Sequence, residues 1–268
     1  MAEISAAQVG DLRDRTGAGM MDCKKALVAA DGNIDDAIEL LRKSGAAKAA
    51  KRAGRTTSEG MIVARIDGGS AVLSEVLCET DFVAKNENFV AFCDDVAAAA
   101  SAMAAAGDVS EAIHSAKQDD LAQLITTTGE NVRIGRVARW QPTGKCESYL
   151  HMGGKIGVLV DVEGDADVEY LKNLCMHVAA FNPQFIGPDD VADDVIAKEK
   201  EIAAAQPDLS GKPEEILDKI LDGKIRKWFT ENCLTKQAWI RDDKTTVEKV
   251  NPNARILRFL RWQVGEAD

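Results

Sequence analysis

The side chains of this sequence best suited to nucleophilic or metal chemistry are six cysteines, Cys23, Cys78, Cys93, Cys146, Cys175 and Cys233, and three histidines, His114, His151 and His177. The cysteines are scattered singly. With no C-x-x-C pair and no histidine at a zinc-like spacing, neither a thiolate metal site nor a disulfide framework is expected, and buried small hydrophobes are their default role. A thiol enzyme using Cys78 or Cys146 with a histidine would need a basic cluster to depress the thiol pKa, and neither cysteine has one beside it in sequence. His177 falls on a buried-looking helix and reads as a satisfied core residue. His151 falls at a hairpin tip and reads as exposed, a place for contact before catalysis.

Nucleotide-binding signatures fail in the same way. Gly144-Lys145 looks like the end of a phosphate-binding loop, but Arg139 stands five positions earlier where glycine is needed, and Cys146 replaces the Ser or Thr that would ligate magnesium. Neither G-x-G-x-x-G nor G-x-S-x-G occurs. No catalytic residue, cofactor or metal is expected.

Thr80-Asp81-Phe82-Val83 is different, because it lies just after an expected strand and just before an expected helix. Asp81 reads there as an N-cap or turn residue and Phe82 as a hydrophobic staple, or the pair reads as a rigid acidic-aromatic tip held out to a partner. A large aromatic on a loop buries much apolar area at little rotamer cost, and a neighbouring carboxylate adds direction.

The elements that must position this tip follow from periodicity. Ser5 caps a first helix with Val9 and Leu12 on one face, and Thr16-Gly17-Ala18-Gly19 breaks it. Met20, Cys23 and Leu27 mark a second helix, Asp31-Gly32-Asn33 ends it, and Ile34, Ala37, Ile38 and Leu41 mark a third. From Arg42 to Arg55 there are six basic residues and no acidic one, read as a solvated, partly helical linker or as a basic strip that meets an acidic partner surface. Residues 1–55 carry 10 basic and 8 acidic side chains, a net of +2 that leaves −13 for the remainder, so a boundary is expected near 55.

A strand hairpin follows, Met61 to Ile66 and Ala71 to Cys78 around Asp67-Gly68-Gly69, then a helix with Phe89, Phe92, Cys93 and Val96 on one face. The same order recurs 86 residues later. Cys146 to Met152, Gly153-Gly154, Ile156 to Val162 and a helix with Leu171, Leu174, Cys175 and Val178 match it, with Leu73, Glu75 and Val76 falling on Leu159, Asp161 and Val162. Asn131 to Trp140 closes the first copy as a strand, and Ile256 to Val264 the second, with Ile256, Leu260, Trp262 and Val264 on one face. Two charged helical segments, Asp189 to Ala205 and Glu214 to Trp228, interrupt the second copy around the turn sequence Ser210-Gly211-Lys212-Pro213. The expected fold is α+β, with a three-helix module over 1–55, one core subdomain over 56–141, and a second over 142–268 that contains an antiparallel helical hairpin at about 188–229.

Composition bounds the function. Across 268 residues, 33 Lys and Arg face 44 Asp and Glu, a formal charge of −11 that opposes general nucleic-acid binding, and 46% apolar residues are enough for packed cores. The most apolar run, Ala97 to Ala106, is bracketed by Asp94, Asp95 and Asp108 and falls far short of a membrane span. The start has neither a basic n-region nor an apolar h-region, so a cytoplasmic location is expected.

Leu12-Arg13-Asp14-Arg15-Thr16-Gly17-Ala18-Gly19-Met20-Met21-Asp22-Cys23-Lys24-Lys25-Ala26-Leu27 resembles the N-terminal signature of the bacterial translation elongation factor Ts family, and Cys78-Glu79-Thr80-Asp81-Phe82-Val83-Ala84-Lys85 resembles its second signature. The resemblance runs on through Gly129-Glu130-Asn131, Tyr149-Leu150-His151, Met176 to Ala180 and Phe259 to Glu266, and so covers nearly the whole chain. It implies a ubiquitin-associated-like N-terminal domain, a core of two similar subdomains with small antiparallel sheets, and a protruding helical hairpin. It also implies a function, binding of elongation factor Tu, a GTPase, in its GDP form and promotion of GDP release so that GTP can rebind.

By this resemblance Asp81 and Phe82, flanked by Thr80 and Val83, push into the partner's nucleotide domain and loosen its magnesium and phosphate contacts, with Phe82 as the wedge. Arg13, Met20, Met21, Lys24 and Lys51 are implied contacts of the N-terminal module. Gly129, His151 and Ile240 are implied contacts of the core, His151 near the partner's phosphate-binding loop. No direct nucleic-acid or membrane contact is implied, and self-association is compatible with the family. Thr128 stands where relatives often carry an apolar contact, and Ala238-Trp239 where they commonly have Pro-Phe. The C-terminal helix with which many relatives reach the partner is not expected after Val264-Gly265-Glu266. The competing reading is a ubiquitin-associated-like protein-binding scaffold without exchange activity.

Overall fold

The computed structural model describes residues 4–206 and 213–266, so the expected turn at Ser210-Gly211-Lys212 lies outside the described residues. The chain divides into two compact units, one formed by 1–141, 150–157 and 262–268, the other by 142–149 and 158–261.

The first unit begins with three helices, α1 (Ala6–Thr16), α2 (Met20–Ala29) and α3 (Ile34–Arg52). Ser5 and Gln8 form a reciprocal capping box at the start of α1, and Gly17 in the left-handed conformation ends it. Asn33 caps α3 by accepting the N–H groups of Asp35 and Asp36. Val9, Leu12, Ala18, Cys23, Ala26, Leu27, Ala37 and Leu41 close the core between them. Met20 does not join it and is 54% exposed, whereas Ala18, whose carbonyl accepts the Cys23 thiol at 3.5 Å, does.

The basic stretch after Arg42 is not a linker for most of its length. Its alanines are strong helix formers, and α3 runs unbroken through it to Arg52. Four of its cations pair with carboxylates of this chain. Lys43 pairs with Glu39, Lys48 with Asp22 at 2.6 Å, Arg42 with Asp119, and Arg55 with Glu79 at 3.3 Å, while Arg52 donates to the Ile125 carbonyl.

The sheet of this unit has the order β1-β2-β4-β3, antiparallel throughout, with β1 (Glu59–Asp67), β2 (Ser70–Cys78), β3 (Gly107–Asp108) and β4 (Val132–Trp140). Gly68 and Gly69, both at positive φ, make the two-residue turn that joins β1 to β2. Every residue of β2 is buried, as a central strand covered on both faces requires. On one face α5 (Glu87–Ser101) supplies Phe89, Phe92, Cys93 and Val96, and α7 (Gln118–Thr128) supplies Leu121, Leu124 and Ile125. The short α4 (Asp81–Ala84) precedes α5, and α6 (Ser110–Ala116) precedes α7. A bulge sets Gly135 and Arg136 of β4 opposite the single residue Glu75. A side chain at Gly135 would collide with the Glu75 carboxylate, and the bulge turns Arg136 onto that carboxylate in a two-pronged contact of 3.1 and 3.2 Å.

The second unit is built on a sheet of order β5-β6-β9, with β5 (Lys145–His151), β6 (Ile156–Gly164) and β9 (Ala254–Gln263), and α8 (Val168–Phe181) supplies the helix of the repeat. Leu171, Leu174, Cys175 and Val178 are all buried. The strand β9 is half-buried from Ile256 to Trp262, so its two faces are covered alike and the expected one-sided pattern is not seen. The helices α9 (Asp193–Ala204) and α10 (Glu214–Asn232) pair Lys200 with Asp222 and bury Ala203 and Ile225, and Gln206, just beyond α9, accepts from Lys224. A two-stranded ribbon of β7 (Ala238–Trp239) and β8 (Asp242–Thr246), followed by the short α11 (Val247–Val250), completes the unit.

Among the described residues no helix is long and apolar enough to cross a membrane.

Candidate functional site

The strand β2 delivers the chain to Thr80, which caps α4 by accepting the Val83 N–H at 3.4 Å. Asp81 is therefore the first helical residue and not the cap. Its carboxylate turns outward to Lys85, one turn on, at 2.7 Å. That hydrogen bond is the main reason the Asp81 carboxyl sits below its ordinary range, with the charges of Lys85 and Lys155 adding to it. Lys155 is itself paired with Glu59 and donates to the Gly60 carbonyl at 3.1 Å.

Phe82 is 83% exposed, so it is not a staple. The cause lies in its neighbours: Ala84 is buried and Val83 packs against the core, and these two use the inward face of a four-residue helix. An exposed phenylalanine on an anchored turn is an apolar surface that nothing among the described residues covers.

The base of the tip is braced by residues whose role the sequence did not signal. Glu130 accepts the N–H groups of Glu79 and Thr80 at 3.1 and 3.0 Å through one oxygen, and the Thr80 hydroxyl at 2.6 Å through the other. In the opposite direction Glu79 accepts the Asn131 N–H at 2.6 Å, which is the first cause of its lowered pKa. Buried Asn131 donates its amide to the Arg55 carbonyl at 2.8 Å. Gly129, exposed and left-handed at φ 77°, ends α7 directly before Glu130. The only sequence sign of this brace is the run Gly129-Glu130-Asn131, which carries no spacing that points to Thr80.

In the three-helix module Met20, Met21 and Lys24 stand exposed on α2, with Val28 continuing the row one turn on, and Arg13 and Lys51 are exposed on α1 and α3. His151 is exposed at the end of β5, in the stretch 150–157 that belongs to the first unit; its carbonyl accepts the Lys155 N–H at 3.0 Å, and Met152 beside it is 72% exposed. Ile240 is half-buried in the second unit, after a Trp239 that stacks on Tyr170 and His177 at 5.9 and 5.6 Å.

The residues with chemical potential stand elsewhere. Burial first, and nearby carboxylates second, push the Cys78 and Cys146 thiols up to about 12, the opposite of an activated nucleophile. His177 is fully buried, held by Gln237 at 2.9 Å and stacked on Phe181, and burial lowers its pKa. It is a core residue, but only half satisfied, because Nδ1 has no hydrogen-bond partner among the described residues. Among the described residues no group of three or more His, Cys, Asp and Glu could hold a metal ion.

The sequence profile of the family described as Elongation factor TS matches residues 79–266, a span that begins one residue before Thr80. The chain is 48% identical over 268 residues to elongation factor Ts of Vibrio parahaemolyticus, covering 99% of this chain and 93% of that protein. It is 45% identical over 270 residues to elongation factor Ts of Hahella chejuensis and 47% identical over 268 residues to that of Pasteurella multocida, with the same coverage. Identity at this level over 99% of this chain and 93% of each relative, together with the profile match, establishes that the chain belongs to the elongation factor Ts family.

Proposed function

We propose that the protein is a cytoplasmic translation elongation factor that binds elongation factor Tu in its GDP form and speeds GDP release, so that GTP can enter. The observation that carries the reading is Phe82, a phenylalanine 83% exposed on a short turn whose next two residues, Val83 and Ala84, are packed against the core. In this reading Phe82 enters the nucleotide domain of the GTPase, Asp81 exchanges its Lys85 partner for groups on that domain, and Thr80 and Val83 set the tip's flanks. The magnesium and phosphate contacts of the bound GDP then loosen.

The remaining contacts spread the binding energy. The α2 row of Met20, Met21 and Lys24, with Arg13 and Lys51, docks the N-terminal module, while Gly129, His151 and Ile240 face the partner from the core. No bond is made or broken. If the factor weakens GDP binding by some ratio, GDP weakens factor binding by the same ratio, so rebinding nucleotide releases the factor. Such a cycle needs no catalytic side chain, no cofactor and no contact with nucleic acid or membrane.

The test is the release rate of a fluorescent GDP analogue from elongation factor Tu with increasing amounts of this protein. Acceleration that saturates supports exchange. Tight binding without acceleration contradicts it and favours a protein-binding scaffold.

A further inference from the structure

A wedge works only if it points the right way, and α4 cannot fix its own direction. Four residues form too few internal hydrogen bonds to hold a helix alone. The direction of Phe82 is therefore set where the chain enters the turn, at Glu79 and Thr80. There, one carboxylate from the far side of the sequence gathers three donors, the Glu79 N–H, the Thr80 N–H and the Thr80 hydroxyl. Hydrogen bonds to an ionised carboxylate are short, strong and directional, and three on one group fix an entry angle as well as a position. The hydroxyl it holds is also the cap of α4, so the same contact that orients Thr80 orients the first turn after it.

Resting on the exchange reading above, we propose that Glu130 is a positioning residue for nucleotide release: by holding the backbone of Glu79 and Thr80 it fixes the direction in which Phe82 enters the GTPase. Glu130 itself need not touch the partner. Glu79, which accepts from Asn131 and Arg55, completes the brace from the other strand end and keeps the two carboxylates from sharing donors.

Glu130→Gln keeps the side-chain volume but replaces one accepting oxygen by an NH2 group that faces donors. The maximal rate of GDP release at saturating factor is expected to fall about 10-fold, while the half-saturating concentration changes by less than about 3-fold, because an imprecise wedge loses rate before it loses docking. In a Phe82→Ala background the same substitution is expected to change the rate by less than about 2-fold, since two residues acting through one step are not additive. Thr80→Val, which removes the hydroxyl that donates to Glu130 and with it the cap of α4, is expected to lower the maximal rate in the same way and serves if Glu130→Gln loses its native circular dichroism.

A Glu130→Gln protein with the wild-type maximal rate would overturn the proposal. So would an equal fold-loss in the presence and absence of Phe82, which would place Glu130 in a general structural role. A wild-type protein that leaves GDP release unaccelerated, while binding the GTPase, overturns the exchange reading itself, and is recognised before any variant is compared.

Discussion

Glu75 and Asp161 occupy the same position, 86 residues apart, in the two copies of one unit: each is a buried carboxylate on an inner strand of its sheet, held by an arginine of the neighbouring strand. Arg136 of β4 grips Glu75, and Arg258 of β9 grips Asp161 through contacts of 2.9 and 3.1 Å, while the Gly144 N–H donates to the other Asp161 oxygen at 3.0 Å. A buried carboxylate without such partners would be strongly unfavourable. Both copies keep the pair.

Removing one partner leaves the other charge buried. Glu75→Ala is expected to destabilise the protein by about 3–5 kcal/mol, measured by denaturant unfolding. Asp161→Ala should act in the same direction and by less, because Arg258 is 37% exposed against 19% for Arg136. The double variant Glu75→Met with Arg136→Leu should recover most of the loss. A double variant as unstable as the single one would contradict the account of the pair.

The exposed row on α2 is expected to act on docking alone. Met21→Glu puts a charge into an apolar contact and should raise the half-saturating concentration about 10-fold, equivalent to about 1.4 kcal/mol. The maximal release rate should stay unchanged. A fall in maximal rate at unchanged half-saturation would be the opposite outcome.

The core histidine gives the second unit a pH dependence. Burial lowers the pKa of His177 in the folded protein below its ordinary 6.5, so below that pH the unfolded chain binds more protons. Its contribution to stability is complete above pH 6.5 and is lost as pH falls through the folded value. Stability should therefore decline from just below pH 6.5, and His177→Phe should lack that part of the slope. A slope unchanged in the variant would assign it to other groups.

The thiols should be inert. Cys23, Cys78, Cys93, Cys175 and Cys233 are buried and Cys146 is half-buried, with the Cys233 thiol also raised, to about 11. Native protein at about pH 8 should react with a thiol reagent far more slowly than unfolded protein, in which all six titrate. Loss of GDP release on alkylation of folded protein would revive a thiol mechanism.

The packed helices and the repeat were legible because periodicity reports burial: the Phe89 and Leu171 stripes are core stripes, and the 86-residue offset carries Glu75 onto Asp161. Short elements were not. The two-residue β3 and the β7–β8 ribbon are too brief to show a period, and the seven-residue α6 offers a single buried position, Ile113. At the site, Thr80 to Val83 was legible as a segment, but the division of labour within it was not. Whether Phe82 folds back depends on what Val83 and Ala84 already fill, and Glu130 reaches Thr80 only through the closing of β4 against β2. The basic run after Arg42 shows the same limit, since its acidic partners lie at Asp22, Glu79 and Asp119, far away in sequence.

The most direct test of the wedge is a single comparison, the maximal rate of GDP release from elongation factor Tu at saturating wild-type and Phe82→Ala protein. Phe82 makes little contact with its own chain, so thermal stability should change by less than about 0.5 kcal/mol, while most of the acceleration is lost. A Phe82→Ala protein that binds the GTPase and still accelerates release as the wild type does would contradict the wedge.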